Sequence, residues 1–145
     1  MTIFKEILLA IDLEDKNSWE KALPFSVTYA QAFDAKLHIL TVLPDFGMSL
    51  VGQYFPADYE EKMRKKANKA LHEFVNIHVP ENVTVQNIVA TGSVYETIVN
   101  IAEEIKADLI VLGAHRPELK DYLIGPNASR VVRHGHCSVL VVRDT

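Results

Sequence analysis

Residues 111–134 read VLGAHRPELKDYLIGPNASRVVRH. An apolar run ends on Gly113, a polar loop follows, and Gly125 opens a segment with helical spacing. Glycine in such places lets the backbone approach a ligand closely or adopt a positive φ. A phosphate cradle and an ordinary turn both use that freedom, so the stretch leaves both readings open. Its flanks are more definite. DLIVLG, residues 108–113, is a short continuous apolar strand, and residues 127–134, from Asn127, form a short helix that Gly135 stops. SVLVVR, residues 138–143, is a strand again. A strand, a helix and a strand in this order form one unit of a parallel sheet.

The same alternation extends back to the N-terminus. EILLAID, residues 6–12, is a nearly unbroken apolar run, as expected of a strand covered on both faces. Ala22, Phe25, Ser26, Tyr29, Ala30 and Phe33 make one stripe of an amphipathic helix, within which Pro24 imposes either a kink or a later start. KLHILTVLP, residues 36–44, is the second strand. The segment that follows, residues 45–56, holds Gly47, Gly52 and Pro56 and is long enough to suspect a functional loop. Residues 57–78 are helical, with Met63, Ala67, Ala70, Leu71, Phe74 and His78 on one side. Residues 83–90 alternate as an edge strand would. SVYE, residues 93–96, has the form of a capping box ahead of a helix striped by Val94, Ile98, Ile101, Ala102 and Ile105.

Five strands alternating with four helices predict an α/β protein, a doubly wound parallel sheet with helices on both faces. Its length of 145 residues suits a single domain, 1–145, that buries roughly 70% of its unfolded surface. In the strand order 3-2-1-4-5, the order reverses between the first and fourth strands, where such sheets hold ligands. That position would present Ala10, Ile11 and Asp12 on one side and Gly113 on the other.

Composition narrows the function classes. Hydrophobic residues make up 48% and charged residues 23% of the chain, with a formal charge of -4. An acidic balance gives no reason to expect nucleic acid, which favours basic patches. No apolar run approaches the ~20 residues of a membrane span. The start, MTIFKEILLAID, lacks the features of a secretory signal. The single cysteine, Cys137, has no internal partner and fits a cytoplasmic setting. It reads as a buried small hydrophobe rather than a nucleophile. His134 and His136 lack acidic or cysteine companions for a metal, and Arg130 and Arg133 read as the wet face of the last helix.

The segments AID after the first strand, TVLP after the second, TGSVYETIVNIAEEIKADLIVLGAH and LIGPNASRVVRHGHCSVLVVR together resemble the universal stress protein family. The resemblance runs from Ile7 to Arg143. It is strongest to a single-domain, F-type subgroup whose loop reads His-Arg-Pro, here His115, Arg116 and Pro117. It implies a Rossmann-like 3-2-1-4-5 sheet, a homodimer paired through the last strand and, in many members, bound ATP, with Mg²⁺ on the phosphates. The implied role is stress adaptation with an unidentified protein partner, and no catalytic residue is implied.

The family's nucleotide motif is Gly, two residues, Gly, nine residues, Gly, then Ser or Thr. Gly113 and Gly125 match its first and third glycines. Arg116 stands at the second glycine's place, with eight residues between it and Gly125, and Pro126 replaces the hydroxyl residue. By resemblance, Asp12 meets the ribose or adenine, backbone at Val42 reads the adenine edge, and Gly113 packs against the ribose and first phosphate. His115 and Arg116 belong to the phosphate loop. Pro126 at a helix start costs little, because its missing N–H would lack a partner there anyway. Asn127 and Ser129 can supply donors at that end.

Each residue also has a structural reading: Asp12 as a turn former, and Arg116 as a solvated side chain. Three function classes follow. The first is an ATP-binding regulatory dimer, and the second is a nucleotide-free interaction dimer of the same family. The third is an enzyme on this architecture. No positioned general base supports it, and slow ATP hydrolysis is the most it allows.

Overall fold

The computed structural model describes residues 3–43, 58–114 and 126–143. The loop at 45–56 lies outside the described residues, as do His115, Arg116 and Gly125. The strands are β1 (Glu6–Ile11), β2 (Lys36–Leu43), β3 (Val85–Thr91), β4 (Leu109–Gly113) and β5 (Ser138–Val142). The helices are α1 (Ala22–Phe33), α2 (Tyr59–His78), α3 (Val94–Glu104) and α4 (Pro126–His134), and a 3-10 turn covers Lys16–Ser18. All strand pairs are parallel, in the order β3-β2-β1-β4-β5. The doubly wound α/β sheet expected from the alternation is therefore the observed one.

The unbroken apolar run of β1 follows from its place in the middle of the sheet. Ile7, Leu9 and Ile11 face one core with Leu37, Ile39 and Val111, closed by α1 and α2 through Ala22, Leu23, Ala30, Leu71 and Phe74. Leu8 faces the other with Leu40, Ile110 and Leu112, closed by α3 and α4 through Ile98, Ala102, Ala128 and Val131. A side chain alternates face at every residue of a strand, so a central strand needs apolar residues throughout.

Two local expectations change. In α1 the buried residues are Ala22, Leu23, Ser26 and Ala30, whereas Phe25 is 46% exposed. Ala22, Ser26 and Ala30 form a row of small side chains at four-residue spacing, which lets the helix backbone approach the sheet. The Ser26 hydroxyl donates to the Ala22 carbonyl at 3.0 Å, so burying it leaves no polar group unpaired. Tyr29 and Phe33 instead close on Phe4 at the flank. Pro24 neither delays nor displaces the start. It is the third helical residue, where its missing N–H is one of the four that lack an intrahelical partner.

The capping box does not form. Ser93 is the residue before α3, but its side chain makes no capping bond. The Glu96 carboxylate accepts from the Tyr95 hydroxyl at 3.2 Å rather than reaching back. Gly135 does end α4, by close approach and not by a positive φ. Its N–H donates to the Val131 carbonyl at 2.7 Å, and a Cβ there would lie 2.8 Å from the same oxygen.

Candidate functional site

The sheet opens where its order reverses. β1 pairs with β4 only from Ile7–Leu109 to Leu9–Val111, while β4 stays paired with β5 as far as Gly113–Val142. Beyond Leu9, then, Ala10 and Ile11 diverge from Leu112 and Gly113. On the other side, the pairing of β1 with β2 stops at Ile11–Thr41. Val42 continues against Ala90 of β3, with no partner on β1. A backbone edge at the carboxyl end of a strand is thereby left to face the gap.

The gap is a crevice of about 210 Å³ lined by Ala10, Ile11, Asp12, Val42, Gly113 and Asn127, with Ser18, Val94, Ile98, Leu112 and Ala128. Six residues expected at the site from the sequence thus surround one cavity. Pro126 is the first residue of α4, one position before the cavity wall. The first N–H groups of α4 lack intrahelical acceptors, and the helix dipole is positive at this end, so the arrangement favours an anion.

Asp12 acts as the turn former of its structural reading. Its Oδ1 accepts from the Glu14 N–H at 2.9 Å, the bond of a turn former. Its own N–H donates to Ser18 Oγ at 2.8 Å, and the Ser18 hydroxyl lies 2.7 Å from the Asp15 carbonyl and 3.0 Å from that of Asp12. The 12–18 loop is folded back on itself by these bonds, and Asp12 still forms part of the crevice wall.

Gly113 meets a packing need. A Cβ on Gly113 would stand 2.7 Å from the Ser18 carbonyl oxygen and 3.3 Å from that of Asn17. The missing side chain makes room for the backbone of the 3-10 turn, and the residue also lines the crevice. Sequence reasoning missed Ser18, Val94, Ile98, Leu112 and Ala128. Leu112 was within reach as the neighbour of Gly113, and Val94 as the first residue of a helix whose start faces the strand ends. Nothing local marks Ser18.

Side chains beyond the crevice have other partners. His136 Nε2 is 2.8 Å from Glu103 Oε1, His134 lies against Tyr95 at 5.8 Å between rings, and Arg130 sits over the same ring at 5.2 Å. The two histidines therefore engage different groups. Burial, with the Asp108 charge as a second cause, pushes the Cys137 thiol above its ordinary pKa, which keeps it protonated and poorly nucleophilic.

A parallel sheet of this order, opened at its point of reversal beside a helix N-terminus, defines a Rossmann-like α/β protein with a crevice at the strand ends. The family model described as the universal stress protein family matches residues 3–143. Universal stress protein G of Salmonella typhimurium is 34% identical over 145 residues, covering 97% of this chain and 100% of that relative. The chain belongs to the universal stress protein family.

Solved structures agree in fold. A universal stress protein in complex with cAMP has a TM-score of 0.64 at 22% identity, covering 98% of each chain. The universal stress protein from Archaeoglobus fulgidus in complex with dAMP has a TM-score of 0.68 at 20% identity, covering 97% of this chain and 98% of the other.

Proposed function

We propose that this protein is a regulatory stress-adaptation protein of the cytoplasm that binds ATP with Mg²⁺ in the crevice between β1 and β4. One observation carries the reading: four separate parts of the chain, around Asp12, Val42, Gly113 and Asn127, converge on a single cavity. In this reading, the unpaired edge of Val42 addresses the base and Asp12 the ribose. Gly113 and the start of α4 address the phosphates, with His115, Arg116, Gly125 and Pro126 in the same loop. The family relatives bound to cAMP and dAMP support an adenine nucleotide. Mg²⁺ would be held mainly by phosphate oxygens, which suits a wall that offers one aspartate and one asparagine rather than a cage of carboxylates. No side chain is assigned a catalytic step.

Calorimetry tests the assignment. ATP is expected to bind more tightly than adenosine, because the helix start and Arg116 act on phosphate alone. Arg116→Ala should cost about tenfold to a hundredfold for ATP, the loss of one charge-assisted hydrogen bond of roughly 1.5–3 kcal/mol. Equal affinity for ATP and adenosine would remove the phosphate half of the proposal.

A second reading, a nucleotide-free dimer, is favoured by Gly113, whose absent side chain is already accounted for by Ser18. Both readings use the same assembly. β5 is an edge strand with half-buried Val139, Leu140 and Val141, and an uncovered edge of this kind invites association. Pairing of two β5 strands about a two-fold axis would cover both edges. Leu140→Asp is expected to convert a dimer to a monomer or to insoluble protein, read by light scattering at micromolar concentration. A wild-type protein that is already monomeric there would refute the dimer.

A further inference from the structure

The crevice wall lacks a group that a phosphate-binding site would use. Its described lining carries one carboxylate, Asp12, and no cationic side chain. Arg130 stands one helical turn away. It lies in α4, three residues after Asn127, which lines the crevice. Side chains at this spacing on a helix are neighbours, about 5–6 Å apart at Cβ. A long helical side chain also lies back over the turn N-terminal to its own Cα. The exposed Arg130 therefore covers the turn that forms the crevice wall, where the sequence alone suggested a solvated face.

Across the gap, α3 supplies an anchor. Arg130 Cζ stands 5.2 Å from the centroid of the Tyr95 ring. Tyr95 follows Val94 and lies one turn before Ile98, and both of these line the crevice. The guanidinium is thus held between the two helix starts that flank the crevice. Its neighbours are engaged elsewhere. The Glu96 carboxylate accepts from the Tyr95 hydroxyl at 3.2 Å, and His134, one turn further along α4, lies against the same ring at 5.8 Å. A π face attracts the charge of an arginine but does not satisfy its five N–H donors. Among the described residues, no side chain or carbonyl accepts from them, and no carboxylate pairs with the charge.

We propose, resting on the nucleotide reading above, that Arg130 is a specificity-determining residue whose N–H fork binds the phosphates of the ligand. A guanidinium meets two phosphate oxygens at once, which a point charge does not. The Tyr95 ring holds the fork beside the crevice before the ligand arrives, so less side-chain freedom is lost on binding. Arg133, equally exposed, lies one turn further from the helix start and takes no part.

Calorimetry on the full chain with ATP, adenosine and inorganic tripolyphosphate tests this. Arg130→Gln should weaken ATP and tripolyphosphate about tenfold to a hundredfold, through the loss of one charge-assisted hydrogen bond. Adenosine, which has no phosphate, should bind as before. Arg130→Lys, which keeps the charge and loses the fork, should fall between the wild type and Arg130→Gln. Arg133→Gln removes the same charge one turn away and should change ATP affinity by less than about twofold, since exposed charges at a distance are screened. In the wild type, the Arg130 Nε–H resonance should move with ATP and tripolyphosphate and stay in place with adenosine. If ATP binds Arg130→Gln as tightly as the wild type, or if Arg133→Gln costs as much, the proposal is overturned and the nucleotide reading stands. Tripolyphosphate bound through Arg130 without any binding of ATP would support the proposed contact and refute the nucleotide reading. A wild-type protein that binds neither overturns both.

Discussion

Gly113→Val is expected to lower thermal stability and abolish nucleotide binding together. Any Cβ at this position lands 2.7 Å from the Ser18 carbonyl oxygen, which is main chain and cannot rotate aside. Ser18 is itself tied by its hydroxyl to the carbonyls of Asp12 and Asp15, so the 12–18 loop must move as a unit. Forcing such a shift costs about 1–3 kcal/mol for an overpacked site. In a chain of this size that is a fall of several degrees in Tm. Because Asp12 and Ser18 line the crevice, the same movement deforms the nucleotide wall. Gly113→Ala separates the two effects, since its single methyl meets Ser18 but reaches little further. It should lose stability much as the valine does. An alanine variant with wild-type Tm would show that the approach of Ser18 does not constrain this position.

Ile110→Ala should remove a larger share of stability. Ile110 is fully buried in the central strand β4, on the face it shares with Leu8, Leu112, Ala128 and Val131. Truncating such a side chain removes its transfer free energy and leaves a cavity, together about 2–5 kcal/mol. The whole domain is expected to hold only about 5–15 kcal/mol. The void opens under α4, the helix whose start faces the crevice, so a weaker hold on ATP should accompany the loss. Urea denaturation measures the first effect and calorimetry the second. A stability change below about 1 kcal/mol would mean that α4 settles into the gap.

The crevice was legible in the sequence to the extent that it depends on strand ends. Asp12 and Gly113 each close an apolar run, and parallel strands deliver their carboxyl ends to one edge of the sheet, whereas Val42, followed by Leu43 in its strand, was named through the family resemblance alone. Asn127 follows by the same logic as the start of a helix. Ser18 was not legible, because it reaches the wall through hydrogen bonds to Asp12 and Asp15 within an irregular loop that has no period to read.

The sequence by itself determined the alternation of strands and helices, the two-sided burial of β1 and the family. All three rest on local periodicity and on runs of residue type, which survive without knowledge of what lies across the sheet. Only the tertiary structure decided that Leu23 and not Phe25 packs inward, that Ser93 leaves its cap unmade, and that Gly113 yields its space to Ser18. Each is set by the distance between chain segments that are remote in sequence or irregular in conformation, and no pattern along the chain encodes a distance of that sort.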